Sequence, residues 1–131
     1  MGKMQEKRSI KAAEDGWLPQ RQKELAEICG KEISYEVDWD SFAGNLKAID
    51  WLEFNGPQQV SGAFRGICKD EIGKEAVQEG IKKIVLRNVS EIGDKALTFT
   101  DGVLELRCAF AQSPRGRFKD REIQLFLEPQ L

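Results

Sequence analysis

The stretch ALTFTDGVLELRCAF, residues 96–110, constrains the fold more tightly than any other part of the chain. Two runs rich in Leu, Phe, Thr and Val flank Asp101-Gly102, a dipeptide suited to the two-residue turn whose twist matches a hairpin. A turn at that point sets Phe99 opposite Leu104 and Leu97 opposite Leu106, both pairs apolar and on one face. Thr98 then meets Glu105 on the other face. Turn chemistry and side-chain pattern agree, so a hairpin in this register is predicted.

A second strand is read from EISYEVDWDSF, residues 32–42. Ile33, Tyr35, Val37 and Trp39 alternate with Glu32, Glu36, Asp38 and Asp40, so one face is apolar and the other anionic. A third strand is read from IKKIVLRNV, residues 81–89, which is rich in Ile and Val.

The remaining segments carry helical signals. Leu18, Leu25, Ala26, Ile28 and Cys29 lean to one face of a helix near Pro19 that Gly30 can close. Asp40 or Ser41 is expected to cap a helix with Phe42, Leu46, Ile49, Leu52 and Phe54 on its buried side, stopped by Asn55-Gly56-Pro57. Val60, Ala63, Phe64, Ile67 and Cys68 mark a further helical face. Asp70 can cap another helix bearing Ile72, Ala76 and Val77 and closed by Gly80. Gly62 and Gly66 allow close approach of a neighbouring helix, or weaken their own. The ending KDREIQLFLEPQL alternates like a strand yet also fits a helix; a short helix stopped before Pro129 is the reading preferred.

Residues 1–16 have no sustained period and are read as a mobile or loosely packed arm, with residues 17–131 forming a single domain. The element order predicts an α+β fold: a mostly antiparallel sheet of about four strands, with helices packed on one face. A length of 131 residues suits one domain with one core.

Composition narrows the chemistry. With 40% apolar and 32% charged residues the chain reads as globular, and no apolar run approaches a membrane span. No secretory leader is visible at the N-terminus, so the cytoplasm is the expected compartment. Cys29, Cys68 and Cys108 are odd in number, apart in sequence and each in an apolar stretch, which suggests reduced, buried thiols. The chain has no histidine, which removes Ser–His and Cys–His nucleophile pairs and most catalytic zinc sites. No phosphate-binding glycine loop and no clustered metal ligands are present, and no cofactor is expected.

Charge is distributed unevenly. Residues 31–56 hold Glu32, Glu36, Asp38, Asp40, Asp50 and Glu53 against Lys31 and Lys47. Three readings of this zone stand: a solvated outer face, a protein-docking surface, or a carboxylate site for a metal or for catalysis. Trp51 lies off the main apolar face of its helix and next to Asp50, a setting suited to an interface anchor. The docking surface is therefore assigned to Glu36, Asp38, Asp40, Asp50, Trp51 and Glu53. Two rival readings are a nucleic-acid-associated regulator using Lys82, Lys83, Arg87, Arg115 and Arg117, and a small carboxylate-dependent enzyme.

In size, α+β order, the EVDWD segment and the FTDGVLELRCAF hairpin, the chain resembles the small bacterial immunity proteins of contact-dependent inhibition and related polymorphic toxin systems. The resemblance transfers no site residue. It implies a cytoplasmic inhibitor whose partner is a cognate toxin domain such as a nuclease; self-association as a homodimer is left open by the sequence. An acidic surface would cover the basic cleft of such a partner, with neither membrane nor nucleic acid as its own target.

Overall fold

A computed structural model describes residues 3–131. The chain runs α1 (Lys3–Asp15), α2 (Trp17–Cys29), β1 (Ser34–Val37), α3 (Leu46–Asn55), α4 (Pro57–Ile67), α5 (Glu71–Gly80), β2 (Lys83–Asn88), β3 (Ala96–Thr100), β4 (Val103–Cys108) and α6 (Asp120–Leu127). The fold is α+β, with one four-stranded sheet in the order β1-β2-β4-β3.

The sheet is mixed, where the sequence suggested a mostly antiparallel one. The β3–β4 hairpin is antiparallel in the predicted register, with Phe99 opposite Leu104 and Leu97 opposite Leu106. Both β1–β2 and β2–β4 are parallel. The connection after β2 carries the chain past the neighbouring strand position, so β3 lies on the far edge and runs back. The tight turn at Asp101-Gly102 then returns β4 into the gap, necessarily parallel to β2. The helices α3 to α5 supply the long crossover that parallel β1 and β2 require.

Alternation along the strands separates two faces. Tyr35, Ile84, Leu86, Leu104, Leu106 and Cys108 are buried and join Leu25, Phe42, Leu52, Phe64, Val77 and Ile123 in one core. Phe42 and Phe110 stack with ring centroids 5.6 Å apart. The other face carries Glu36, Lys83, Arg87, Glu105 and Arg107 around Val85. Val85 is nonetheless buried, as expected where long charged side chains lay their apolar stems across a small residue.

Local chemistry explains where the helices begin and end. Gly30 takes φ +73° and closes α2, with its N–H donating to the Ala26 carbonyl. The Asp70 carboxylate accepts from the Gly73 N–H at 2.8 Å and caps α5. The helix expected to start at Asp40 or Ser41 is interrupted: Trp39–Phe42 form a single 3₁₀ turn, and Gly44 takes φ +77°. A new helix, α3, then starts with Asn45 as its cap, the side chain accepting from the Ala48 N–H at 3.1 Å. The last segment is the helix α6, ending before Pro129.

Gly62 and Gly66 serve close approach. A side-chain carbon at Gly62 would sit 2.8 Å from the Asp120 Cβ of α6, and one at Gly66 would overlap Gln124. Residues 3–15 of the expected arm form a regular helix, α1, with Ala13 buried and Ile10 against the core. Ile10, Ala13 and Trp17 supply a helical spacing hidden among charged residues. Met1 and Gly2, also in that expected arm, lie outside the described residues. Among the described residues no helix is long and apolar enough to cross a membrane.

Candidate functional site

The anionic zone separates into two groups on folding. Glu36 points from β1 onto the outer sheet face, where Lys83 of β2 reaches it at 3.1 Å. Asp38, just beyond β1, accepts from Arg87 Nη1 at 2.7 Å. Arg87 lies 3.4 Å from Glu105 of β4, which also binds Arg107. Parallel pairing sets β2, with its alternating cations, beside the acids of β1 and β4, so an ionic ladder of both signs crosses the sheet. Among these residues the acids of β1 are matched by cations and form no bare anionic surface.

Glu53 belongs to a different cluster, on the helical side. It accepts from Arg21 Nε at 3.0 Å, and Arg21 Nη1 in turn reaches Glu24 at 3.0 Å. Glu24 also accepts from the Ser61 hydroxyl at 2.6 Å and from Arg65 at 3.1 Å. Burial alone would raise the Glu24 carboxyl. The hydrogen bonds from Ser61 and Arg21, with the charges of Arg21 and Arg65, outweigh that and hold it below the usual carboxylate range. Asp40 and Asp50 are exposed and make no salt bridge among the described residues. The six residues assigned to one docking surface are therefore not one surface. Glu36 and Asp38 face outward from the sheet, while Asp50, Trp51 and Glu53 stand on α3.

On α3 the residues that converge are Asp50, Trp51 and Phe54. The buried stripe of this helix is Ala48, Ile49, Leu52 and Asn55. The stripe at Lys47, Asp50, Trp51 and Phe54 turns away from it. Trp51 is 37% exposed and Phe54 is 55% exposed, although the sequence suggested a buried Phe54. Lys47 Nζ lies 4.4 Å above the Trp51 ring, and the Arg117 guanidinium lies 5.4 Å from the Phe54 ring. Both cations reach the negative faces of the rings and restrict them. Asp50, Trp51, Phe54, Asn55 and Ser113 line a shallow cleft of about 290 Å³.

The floor of this cleft is held rigidly. Asn55 is buried, and its side-chain oxygen accepts from the Ser113 hydroxyl at 2.7 Å and from Arg117 Nη1 at 3.1 Å. Its amide nitrogen donates to the Trp51 carbonyl at 2.8 Å. One buried amide thus ties the 113–117 loop to the last turn of α3. The loop is also fixed by Lys95, whose ammonium group donates to the carbonyls of Arg115 and Arg117. Sequence reasoning missed Phe54, Asn55, Ser113 and Arg117 as parts of this site. The i, i+3 spacing of Trp51 and Phe54 beside a separate apolar stripe was the available signal; the loop contribution had none.

Among the described residues no group of three or more Cys, Asp or Glu side chains is arranged to hold a metal ion. Of the five acids assigned from sequence, only Asp50 lines the α3 cleft. No family model, no curated protein and no solved structure matches this chain.

Proposed function

We propose that the chain is a binding protein of the immunity type, which neutralises a cognate toxin domain by seating the α3 ridge of Asp50, Trp51 and Phe54 against it. The observation that carries this reading is the pair of exposed aromatic rings on one helix face above a hydrogen-bonded floor. Large aromatics bury area on binding with little loss of conformational freedom, and a rigid floor lowers the ordering cost further. The complementary partner surface is an apolar recess bordered by charges of both signs, because Lys47 and Arg117 flank the rings together with Asp50. Contact through an extended anionic patch has little support, since Glu36, Asp38 and Glu53 each already hold a cation. The nucleic-acid reading is weakened in the same way by the pairing of Lys83 and Arg87.

The test is co-expression with the C-terminal domain of any polymorphic toxin found encoded beside this chain. Protection of the host cell is expected from the native chain. Trp51→Ala should weaken the complex by about 2 kcal/mol, roughly 30-fold, and the Trp51→Ala/Phe54→Ala pair should abolish protection. Glu36→Gln with Asp38→Asn should leave protection intact. Full protection by the aromatic double variant would remove α3 as the docking surface. Failure of the native chain to relieve any such toxin would remove the inhibitor reading itself.

A further inference from the structure

The two edges of the sheet are finished differently. β1 is four residues long, bears Glu36 and has its Tyr35 N–H occupied by the Gln22 side chain at 2.8 Å. Such devices keep an edge from recruiting another strand. β3, the opposite edge, is five residues long and lacks the other two: Ala96–Thr100 contains no charge and no proline, and no side chain among the described residues takes its outward N–H groups.

The hairpin decides which backbone groups β3 leaves open. The two-residue turn makes Thr100 and Val103 a hydrogen-bonded pair, so Thr98 and Ala96 also bond inward to Glu105 and Arg107. The N–H and C=O groups of Leu97 and Phe99 therefore point out of the sheet, and none has a backbone partner in a turn, loop or cap among the described residues. Their side chains lie on the inner face but stay half-buried, because no strand continues the sheet beyond them.

We propose that β3 pairs with β3 of a second copy of this chain, antiparallel about a twofold axis at Thr98, joining the two sheets into one. In that register Leu97 of each copy faces Phe99 of the other, and each such pair exchanges both N–H···O bonds. Every outward group is thereby used, and the half-buried Leu97 and Phe99 side chains cover one another. Thr98 faces Thr98 across the axis on the outer face, at the closer non-hydrogen-bonded spacing that favours Thr–Thr pairs. Lys95 comes opposite Asp101 of the other copy at both ends, so unlike charges meet there. Lys95 keeps its own carbonyl contacts, and its charge then acts at longer range. Sliding by two residues would set Asp101 against Leu97, or Lys95 against Phe99, and lose both matches. An edge made of one short strand is a small interface, so the dimer is weak and concentration-dependent.

Sedimentation equilibrium over a dilution series tests this on the full chain. The mass should rise from 14.8 kDa toward twice that value with concentration. Thr98→Lys places two ammonium groups face to face on an exposed site and should raise the dissociation constant about fivefold to tenfold. Amide exchange of the native chain should slow at Leu97 and Phe99 with concentration, and at no other strand residue. A mass fixed at the monomer value, or exchange at Leu97 and Phe99 indifferent to concentration, overturns the proposal. So does a folded Thr98→Lys chain that dimerises as well as the native one. The exchange measurement decides the matter even if that variant does not fold.

Discussion

At the scale of single residues, the three cysteines share a composition but not an environment. Cys29 and Cys68, 39 positions apart, bring their sulfurs to 3.9 Å where α2 and α4 end. The hydrogen bond between the two thiols pushes the Cys29 thiol up and lowers that of Cys68, and the Lys74 ammonium group also favours a Cys68 thiolate. Burial pushes the Cys108 thiol up to about 12. Cys68 is also the only one of the three that is not fully buried. Iodoacetamide at neutral pH should therefore alkylate Cys68 first, and Cys29 and Cys108 only on unfolding, as peptide mass mapping would read. Equal labelling of all three in the folded protein would contradict this ordering. The sequence pointed to three buried thiols and gave no hint that two of them meet.

At the scale of elements, α3 exists because Asn45 restarts a helix after Gly44 has broken the one that Asp40 or Ser41 was expected to begin. A left-handed residue cannot continue a right-handed helix, so the new start needs its own acceptor for the first free N–H groups. Asn45→Ala should destabilise the fold by about 1 kcal/mol and leave the buried stripe of α3 in place, measurable by urea denaturation. A loss within experimental scatter would mean that solvent caps α3 equally well. Ala48, Ile49 and Leu52 of α3 face the core. Phe54, two residues and so about 200° round the helix from Leu52, is left exposed beside Trp51. Ile72 shows a similar reversal: read as core from its spacing in α5, it is 82% exposed, because Val77 alone of that helix is fully buried.

For the whole molecule, the Glu24 cluster links elements distant in sequence. Through Arg21 it reaches Glu53 of α3, and through Ser61 and Arg65 it reaches α4. Folding lowers the Glu24 pKa, so its contribution to stability is fully present above the ordinary carboxylate range. That contribution disappears as pH falls through the depressed value. The native chain should therefore lose stability as pH drops below about 4. Glu24→Gln should cost about 1–2 kcal/mol at neutral pH and flatten the acid limb of the stability profile. An acid limb unchanged by that substitution would show that the cluster contributes nothing to folding.

Local rules settled much of this protein before any tertiary contact. The hairpin register and the caps at Gly30 and Asp70 follow from interactions within a few residues or from side-chain period, and these act in any fold. The tertiary structure alone decided which strands lie side by side, and with that the fate of the charges. A parallel β2 beside β1 and β4 turned an apparent anionic face into a ladder of matched ions. Sequence period gives the face a side chain occupies, not the strand it meets there, and electrostatics depends on the neighbour.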